Sequence, residues 1–428
     1  MTTDTQPQPR HVLYVLSRFP ALSHTFTANE MAVVQAEGAE VYAAPLWKTL
    51  PNTTPHKLEE PFLPKTIRCN LASPRFWLGA LKGLVRQPQV LGLIVRLVPG
   101  HLKSIYLPFK LLATIPKGLY LGQWCIENEI DHLHAHFLTS PTTAAMIASA
   151  VSGAPYSYTA HAFDITSTHP KSVNGSIPLK CRRAIMGVTI SQYNHHYLLE
   201  HWPTIQQARL DVIYNGIDTD LFQAGNGLRQ RDANGPVRVL SVSRLETKKG
   251  YEFLIRAVAM LRERGFDVRL DVYGDGPLRA SLQELIDSLG QGEHIVLHGA
   301  IMQTELATKY RAADLFALGS VPLPWGDADG LPTVLIEALA AELPSVSTQV
   351  TGIPEILRDG ETGRCVPPRD AEALASALQW MIEHPDAART MGQRGRELVL
   401  AQFDRRKNAK HLLECWQNIH AKQTGTGD

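Results

Sequence analysis

Gly326 to Ala340 read GDADGLPTVLIEALA, a run that sets two aspartates and a glycine just ahead of a proline and then places Glu337 among Val334, Leu335, Ile336, Ala338 and Leu339. Pro332 suits the first turn of a helix, which leaves Asp329 in the preceding loop and carries Glu337 about 7 to 8 Å further along the axis at ~1.5 Å per residue. Gly330 lets the backbone approach a ligand, and with Leu331 and Pro332 it leads into a helix start whose free N–H groups suit phosphate. An ionised carboxylate in so apolar a stretch is satisfied by ligand hydroxyls, which a sugar or ribose offers in pairs. Taken alone, the pattern equally permits Glu337 on the polar face of an amphipathic helix.

Other segments converge on the same chemistry. SRLETKKG, Ser243 to Gly250, follows a strand and opens a helix, so that Arg244 and Lys249 at the strand end could bind a diphosphate, one as a planar fork and the other as a point charge. VYGDGPL brings Gly274 to the end of a second strand, and LHGAI brings Gly299, Ala300 and Ile301 to the end of a third. Two metal readings compete. Asp327 and Asp329 form an Asp-x-Asp, but an immediate helix start and nearby cations already answer phosphate, so no metal is expected there. His132, His134 and His136 share one face of a strand, a geometry zinc can use, yet no fourth ligand stands out. His136 is read as bordering a cleft and the other two as pocket or packing residues.

The elements that position these groups alternate. Strand-like runs at His11 to Ser17, Ala39 to Pro45, Ile130 to Phe137, Tyr156 to His161 and Ile185 to Ser191 are interleaved with helical patterns, and the second half repeats the alternation from Val237 onward. Alternation of this kind predicts parallel sheets covered on both faces. The polar stretch Gln223 to Pro236 reads as a linker, giving an N-terminal domain over 1–228, a C-terminal domain over 229–405, and a last helix, 406–428, that could cross back to the first domain. Ligands of such sheets sit at the carboxyl ends of the strands, so two domains in series would share a cleft.

Of the 428 residues 44% are hydrophobic and 19% charged, with a formal net charge of +1, which excludes disorder and gives no sign of a nucleic-acid partner. Five scattered cysteines without a Cys-x-x-Cys pair argue against disulfides or structural zinc, and the polar N-terminus lacks a signal peptide's apolar core, so a cytoplasmic protein is expected. One stretch departs from neutrality: between Pro61 and Ile126 there is no Asp or Glu, while nine Lys or Arg residues alternate with large apolar ones. Such helices could lie on an anionic membrane surface; the alternative is a core-packed insert, about 61–125, with a solvated basic edge.

SRLETKKG, VYGDGPL, HGAI, DGLPTVLIEALAAELPSVSTQVTGIPEIL and DGETGRCVPPRD together resemble the C-terminal domain of retaining, nucleotide-sugar-dependent glycosyltransferases of the GT-B fold, family 4. RFPALSHTF, HAHF, YTAHAFDI and VIYNGIDTDLF resemble its exopolysaccharide branch, which includes colanic-acid-type transferases. The resemblance implies an α/β chain of two Rossmann-like, doubly wound domains facing across a cleft, with the basic helical insert in the first, acceptor-binding domain. It implies a hexosyltransferase that needs no cofactor or metal, takes a UDP- or GDP-sugar as donor and serves a glycan acceptor; the basic insert adds the expectation of a lipid-linked acceptor at the inner face of the cytoplasmic membrane. By position, Glu337 matches the acid that holds the donor ribose, and Asp329 stands where the acid facing the transferred sugar is usually Glu. Arg244 and Lys249 match the diphosphate pair, Gly299 to Ile301 the backbone that holds the base, and His161 the histidine near the reacting carbon. Ser23, His24 and His136 fall on the acceptor side, His24 where close relatives tend to have Glu. Nucleotide-sugar 2-epimerases share the architecture, and a non-catalytic nucleotide-sugar binder would share the pocket.

Overall fold

The computed structural model describes residues 9–21, 25–49, 55, 57–102, 104–169, 176–223 and 235–424. They form two compact units, one made of the chain up to Tyr214 together with the segment from Arg405 on, the other of Asn215–Asp404. The first unit runs β1 (His11–Leu16), α1 (Thr25–Ala36), β2 (Glu40–Pro45), α2 (Pro74–Arg86), α3 (Val90–His101), α4 (Tyr106–Glu127), β3 (His132–His136), α5 (Ser140–Ser152), β4 (Tyr156–Ala160), α6 (Phe163–Thr166), α7 (Ile177–Arg183), β5 (Met186–Thr189), α8 (Gln192–His201) and β6 (Leu210–Val212). Its six strands are parallel in the order β2-β1-β3-β4-β5-β6. Strands β3, β4 and β5 are buried at every residue, as expected where helices cover both faces of a parallel sheet.

The second unit runs β7 (Val237–Val242), α9 (Tyr251–Glu263), β8 (Val268–Tyr273), α10 (Arg279–Ser288), β9 (Ile295–Gly299), α11 (Gln303–Ala312), β10 (Leu315–Leu318), α12 (Thr333–Ala340), β11 (Ser345–Thr348), α13 (Ile353–Ile356), β12 (Arg364–Val366), α14 (Ala371–Glu383) and α15 (Pro385–Gln402). Its parallel sheet has the order β12-β11-β10-β7-β8-β9. In both sheets the first strand, β1 or β7, lies inside, so the winding reverses beside it, and the carboxyl end of that reversal is where open α/β sheets hold ligands.

Several sequence expectations are corrected here. The domain boundary lies at Tyr214/Asn215 and not at 228/229, because residues 217–222 are held by the end of α15: Ile217 N donates to Phe403 O at 2.9 Å, and Thr219 Oγ1 to Asp404 Oδ2 at 2.6 Å. Most of the expected linker, 224–234, lies outside the described residues. Pro332 is the N-cap of α12 and not a residue of its first turn.

The last helix, α16 (Arg405–Thr424), belongs to the first unit. Arg405 donates to Asn29 Oδ1 at 2.7 Å, Asn408 to Tyr214 O at 2.9 Å, and the buried Trp416 ring lies against Tyr14, His132 and His134.

Candidate active site

In the second unit the site grows from the reversal between β7 and β10. The chain leaves β7 at Ser243 and Arg244 and makes one short 3₁₀ turn, Thr247–Lys249. Gly250 then starts α9 with φ +60°, where a Cβ would come within 1.9 Å of the Gly319 carbonyl. Only glycine allows this contact, which seats the lysine turn on the end of β10; Val321 N donates to Lys248 O at 2.8 Å to hold it. Lys249 Nζ thereby donates to Asp329 Oδ1 at 2.7 Å, and Ser320 Oγ, from the loop after β10, donates to Oδ2 at 2.6 Å. Burial pushes the Asp329 carboxyl up, but attraction to Lys249 and Lys248 and these two hydrogen bonds outweigh it, so its pKa falls below the usual value and the group is charged.

The Asp-x-Asp therefore separates onto two lysines: Asp327 accepts from Lys248 at 3.1 Å. Thr351 Oγ1 donates to the Asp329 carbonyl, and Gly352 N to Gly330 O at 3.1 Å, fixing the loop from the β11 side. Leu331 is buried at its end, and α12 begins at Pro332 with no side-chain cap, which leaves its first N–H groups for a ligand.

Glu337 lies on α12 at 6% exposure, and every residue from Leu335 to Ala340 is buried, so the polar-face alternative does not hold. The Tyr310 hydroxyl of α11 sits 3.0 Å from Glu337 Oε2. Burial raises the carboxyl to about 7, opposed in part by hydrogen bonds from Tyr310 and Gln303, with no cation contributing. Asp329 and Glu337 are thus two buried acids in opposite states, one pinned as an anion and one poised at neutrality.

At the ends of β7, β8 and β9, Ser243 N donates to Tyr273 O at 3.1 Å and Gly274 N to Gly299 O at 2.7 Å. Gly274 has φ +145°, and a Cβ there would fall 1.9 Å from Ser243 O. Gly299 ends β9, followed by exposed Ala300 and half-buried Ile301. Arg244 differs from Lys249: its side chain is 63% exposed and pairs with Glu246 at 2.9 Å, so the expected diphosphate pair does not share a partner in this state.

In the first unit, His132, His134 and His136 do share a face of β3, but their ring nitrogens are engaged by side chains of β4 and beyond. His132 Nε2 and His134 Nδ1 both lie 2.7 Å from Ser157 Oγ, and His132 Nδ1 lies 3.2 Å from His420 of α16. Burial holds His132 and His134 well below the usual histidine pKa. Among the described residues, the group able to hold a cation is Glu30, His134 and His136, whose ligand atoms lie within 4.8 Å of one another; His132 is replaced in it by an acid of α1.

The same residues form a chain of hydrogen bonds. Glu30 Oε1 is 3.3 Å from His136 Nε2, and His136 Nδ1 is 3.0 Å from His161 Nε2. With the carboxylate accepting from His136 Nε2–H, His136 Nδ1 is left as acceptor and His161 donates from Nε2. The buried Asp164 fixes this loop, accepting from His161 N and Ala162 N at 3.0 and 2.9 Å and from Leu138 N at 2.7 Å, while Asn194 donates to His161 O at 2.6 Å. Ser23 and His24 lie outside the described residues. Sequence reasoning missed Ser320, Tyr310, Glu30, Asp164 and Asn194. Only Asp164 carried a local signal, an aspartate three residues after His161 at the start of a helical turn.

Residues 228–398 match the family described as Glycosyl transferases group 1, and residues 76–221 match Glycosyltransferase Family 4. A GDP-mannose-dependent alpha-(1-6)-phosphatidylinositol monomannoside mannosyltransferase of Mycolicibacterium smegmatis is 36% identical over 48% of this chain and 56% of its own. The putative colanic acid biosynthesis glycosyltransferase WcaL of Salmonella typhimurium is 34% identical over 43% of this chain and 46% of its own. The chain thus spans about half the length of these relatives. Among solved structures, a glycosyltransferase from Rickettsia africae superposes with a TM-score of 0.70 at 16% identity, covering 96% of this chain and 98% of that one. Anabaena Alr3699/HepE in complex with UDP and glucose gives 0.68 at 19%, covering 96% and 100%. With two parallel α/β units, each matched by a glycosyltransferase family, this chain belongs to the family 4 glycosyltransferases of the GT-B fold.

Proposed function

We propose that the chain is a retaining, metal-independent hexosyltransferase that moves a sugar from a nucleoside diphosphate sugar to a glycan or lipid-linked acceptor in exopolysaccharide or cell-surface polysaccharide synthesis. It would work at the inner face of the cytoplasmic membrane and need no cofactor. The observation that carries the reading is the Lys249–Asp329–Ser320 cluster beside the uncapped start of α12. Lys249 spends one of its three donors on Asp329 and has the others for phosphate oxygens.

In the transfer, the bond from the anomeric carbon to the phosphate oxygen breaks and the nucleoside diphosphate leaves with the electron pair. The acceptor oxygen bonds to that carbon from the same side, and its proton passes to the departing phosphate. Lys249 and the N–H groups of α12 stabilise the growing negative charge. Glu337 accepts the ribose hydroxyls, Asp329 holds Lys249 in place and accepts from the sugar, and Gly299 to Ile301 present backbone to the base. The names of the relatives support both GDP- and UDP-linked donors.

Incubating the enzyme with UDP-, GDP- and ADP-sugars, with and without a glycan acceptor, tests this. Nucleoside diphosphate release that depends on acceptor and is unchanged by EDTA is expected; conversion of the donor without acceptor would identify an isomerase, and no turnover at all a binder. His161 serves the reacting sugar through the orientation that Glu30 and His136 give it. Glu30→Gln should lower kcat on the order of tenfold, less than the ~10²-fold of a lost acid–base group, and leave donor affinity unchanged. An unaltered kcat and pH profile would remove Glu30 from the chain of influence.

A further inference from the structure

We propose that α2, α3 and the first turns of α4 form a lipid-docking face that seats the first unit on an anionic bilayer. The benefit to catalysis rests on the lipid-linked acceptor reading above, whereas the docking itself stands on the geometry that follows.

Of the nineteen large hydrophobic side chains exposed among the described residues, thirteen fall between Leu71 and Leu112. They are arranged helix by helix. At 100° per residue, Leu78, Leu81 and Val85 form one stripe of α2, opposite the buried Phe76, Ala80 and Gly83. Leu91, Val95, Val98 and Leu102 form a stripe along α3, away from buried Val90, Leu93 and Leu97. Ile105, Phe109 and Leu112 do the same at the start of α4, away from Leu107 and Leu111. Exposure reaches 71% at Val85, 74% at Phe109 and 75% at Ile105. Each helix is therefore apolar on two opposite sides, one facing the core and one facing out. A merely solvated edge would carry polar residues at those outward positions.

Charge identifies what covers them. Arg68, Arg75, Lys82, Arg86, Arg96 and Lys110 are all exposed, and there is no acid in the whole stretch. On α2, Arg75, Lys82 and Arg86 lie 40–80° round the helix from Leu78, beside the apolar stripe. Two cations of the stretch are occupied elsewhere: Lys117 is buried and donates to Leu46 O at 2.5 Å, and Lys65 pairs with Glu40 at 3.2 Å. A protein partner's rim would ordinarily be met with both signs of charge, and a second copy in a two-fold contact would bring like cations together. A surface of anionic headgroups over acyl chains matches cations beside aliphatic side chains. Among the described residues no helix is long and apolar enough to cross a membrane, so these helices lie in the interface plane, with Trp77 at 52% exposure at headgroup level.

The test is flotation of the full chain with vesicles of phosphatidylcholine alone or of phosphatidylcholine with phosphatidylglycerol. The wild type should rise only with the second, and 0.5 M NaCl should reduce that fraction. Leu81→Glu/Val85→Glu and Ile105→Glu/Phe109→Glu should each lower binding roughly tenfold or more. Both variants should keep the wild-type melting temperature and its shift with UDP or GDP, which separates lost docking from lost folding. Wild-type protein that stays down with both vesicles, variants that float as well as wild type, or a vesicle-free dimer abolished by the same substitutions would each overturn the proposal. Flotation without any sugar transfer would instead overturn only the catalytic reading, and wild-type protein that transfers sugar to a soluble acceptor but does not float would overturn only the docking.

Discussion

Lys249→Ala should abolish most of the transfer activity, by about 10²- to 10³-fold in kcat, and at the same time destabilise the second unit by about 3 to 5 kcal/mol. Both effects come from one contact. Lys249 Nζ lies 2.7 Å from Asp329 Oδ1, with side-chain exposures of 14% and 7%, so deleting the cation leaves a carboxylate in a dry site with only Ser320 and the more distant Lys248 to answer it. Because the Asp329 pKa is lowered in the fold, its stabilising contribution is present above the unfolded value of 3.8 and is lost as pH falls through the folded one. In Lys249→Ala that contribution shrinks, so the variant's deficit should be large at pH 7 and narrow toward pH 3. The double variant Lys249→Met/Asp329→Asn removes both charges and should recover most of the melting temperature without recovering activity. Circular dichroism melts and nucleoside diphosphate release, measured on all three proteins, check this; a double variant as unstable as Lys249→Ala would mean that the pair is not what the loop depends on.

Glu337→Gln should behave in the opposite way, gaining stability while losing ligand. A folded pKa raised from 4.5 to about 7 makes the stability contribution of Glu337 full below the unfolded value and lost as pH rises through 7. A shift of that size corresponds to roughly 3 kcal/mol, and glutamine does not ionise, so the variant should equal wild type near pH 4 and melt above it at pH 8. Hydroxyl groups donating to Glu337 favour its charged form. Nucleotide binding by the wild type should therefore release a proton near pH 7 and strengthen as pH rises from 6 to 8. In Glu337→Gln the affinity should be weaker and nearly independent of pH. Calorimetry in two buffers of different ionisation enthalpy measures the released proton; an equal proton count in both proteins would show that the ligand does not meet this carboxylate.

The parallel sheets were legible because runs such as Val12 to Leu16 and Val237 to Val242 are apolar at most positions, Arg238 and Ser241 being the exceptions, as a strand covered on both faces requires. Lys249 and Asp329 were legible because each lies in the segment that joins a strand to the next helix, β7 to α9 and β10 to α12. Their partners were not. Ser320 and Tyr310 reach the two acids across 9 and 27 residues, and Glu30 reaches His136 across 106, distances over which spacing in sequence carries no geometry. Arg244 shows the converse: its position at a strand end was read correctly, but whether a long side chain turns to Lys249's partner or to Glu246 is decided by local packing and solvent. The domain boundary was misplaced because composition locates a polar stretch, whereas the hydrogen bonds of Ile217 and Thr219 to the end of α15 determine which unit owns the residues before it.

The return of α16 to the first unit bears on how the protein is made. Trp416 completes the packing around Tyr14, His132 and His134, so the half that leaves the ribosome first lacks a wall of its own core until α16 has been made. Asn215–Asp404 holds all of its strands before that moment. During synthesis the later half can therefore mature ahead of the earlier one, and the nascent N-terminal half remains open to chaperones until α16 emerges.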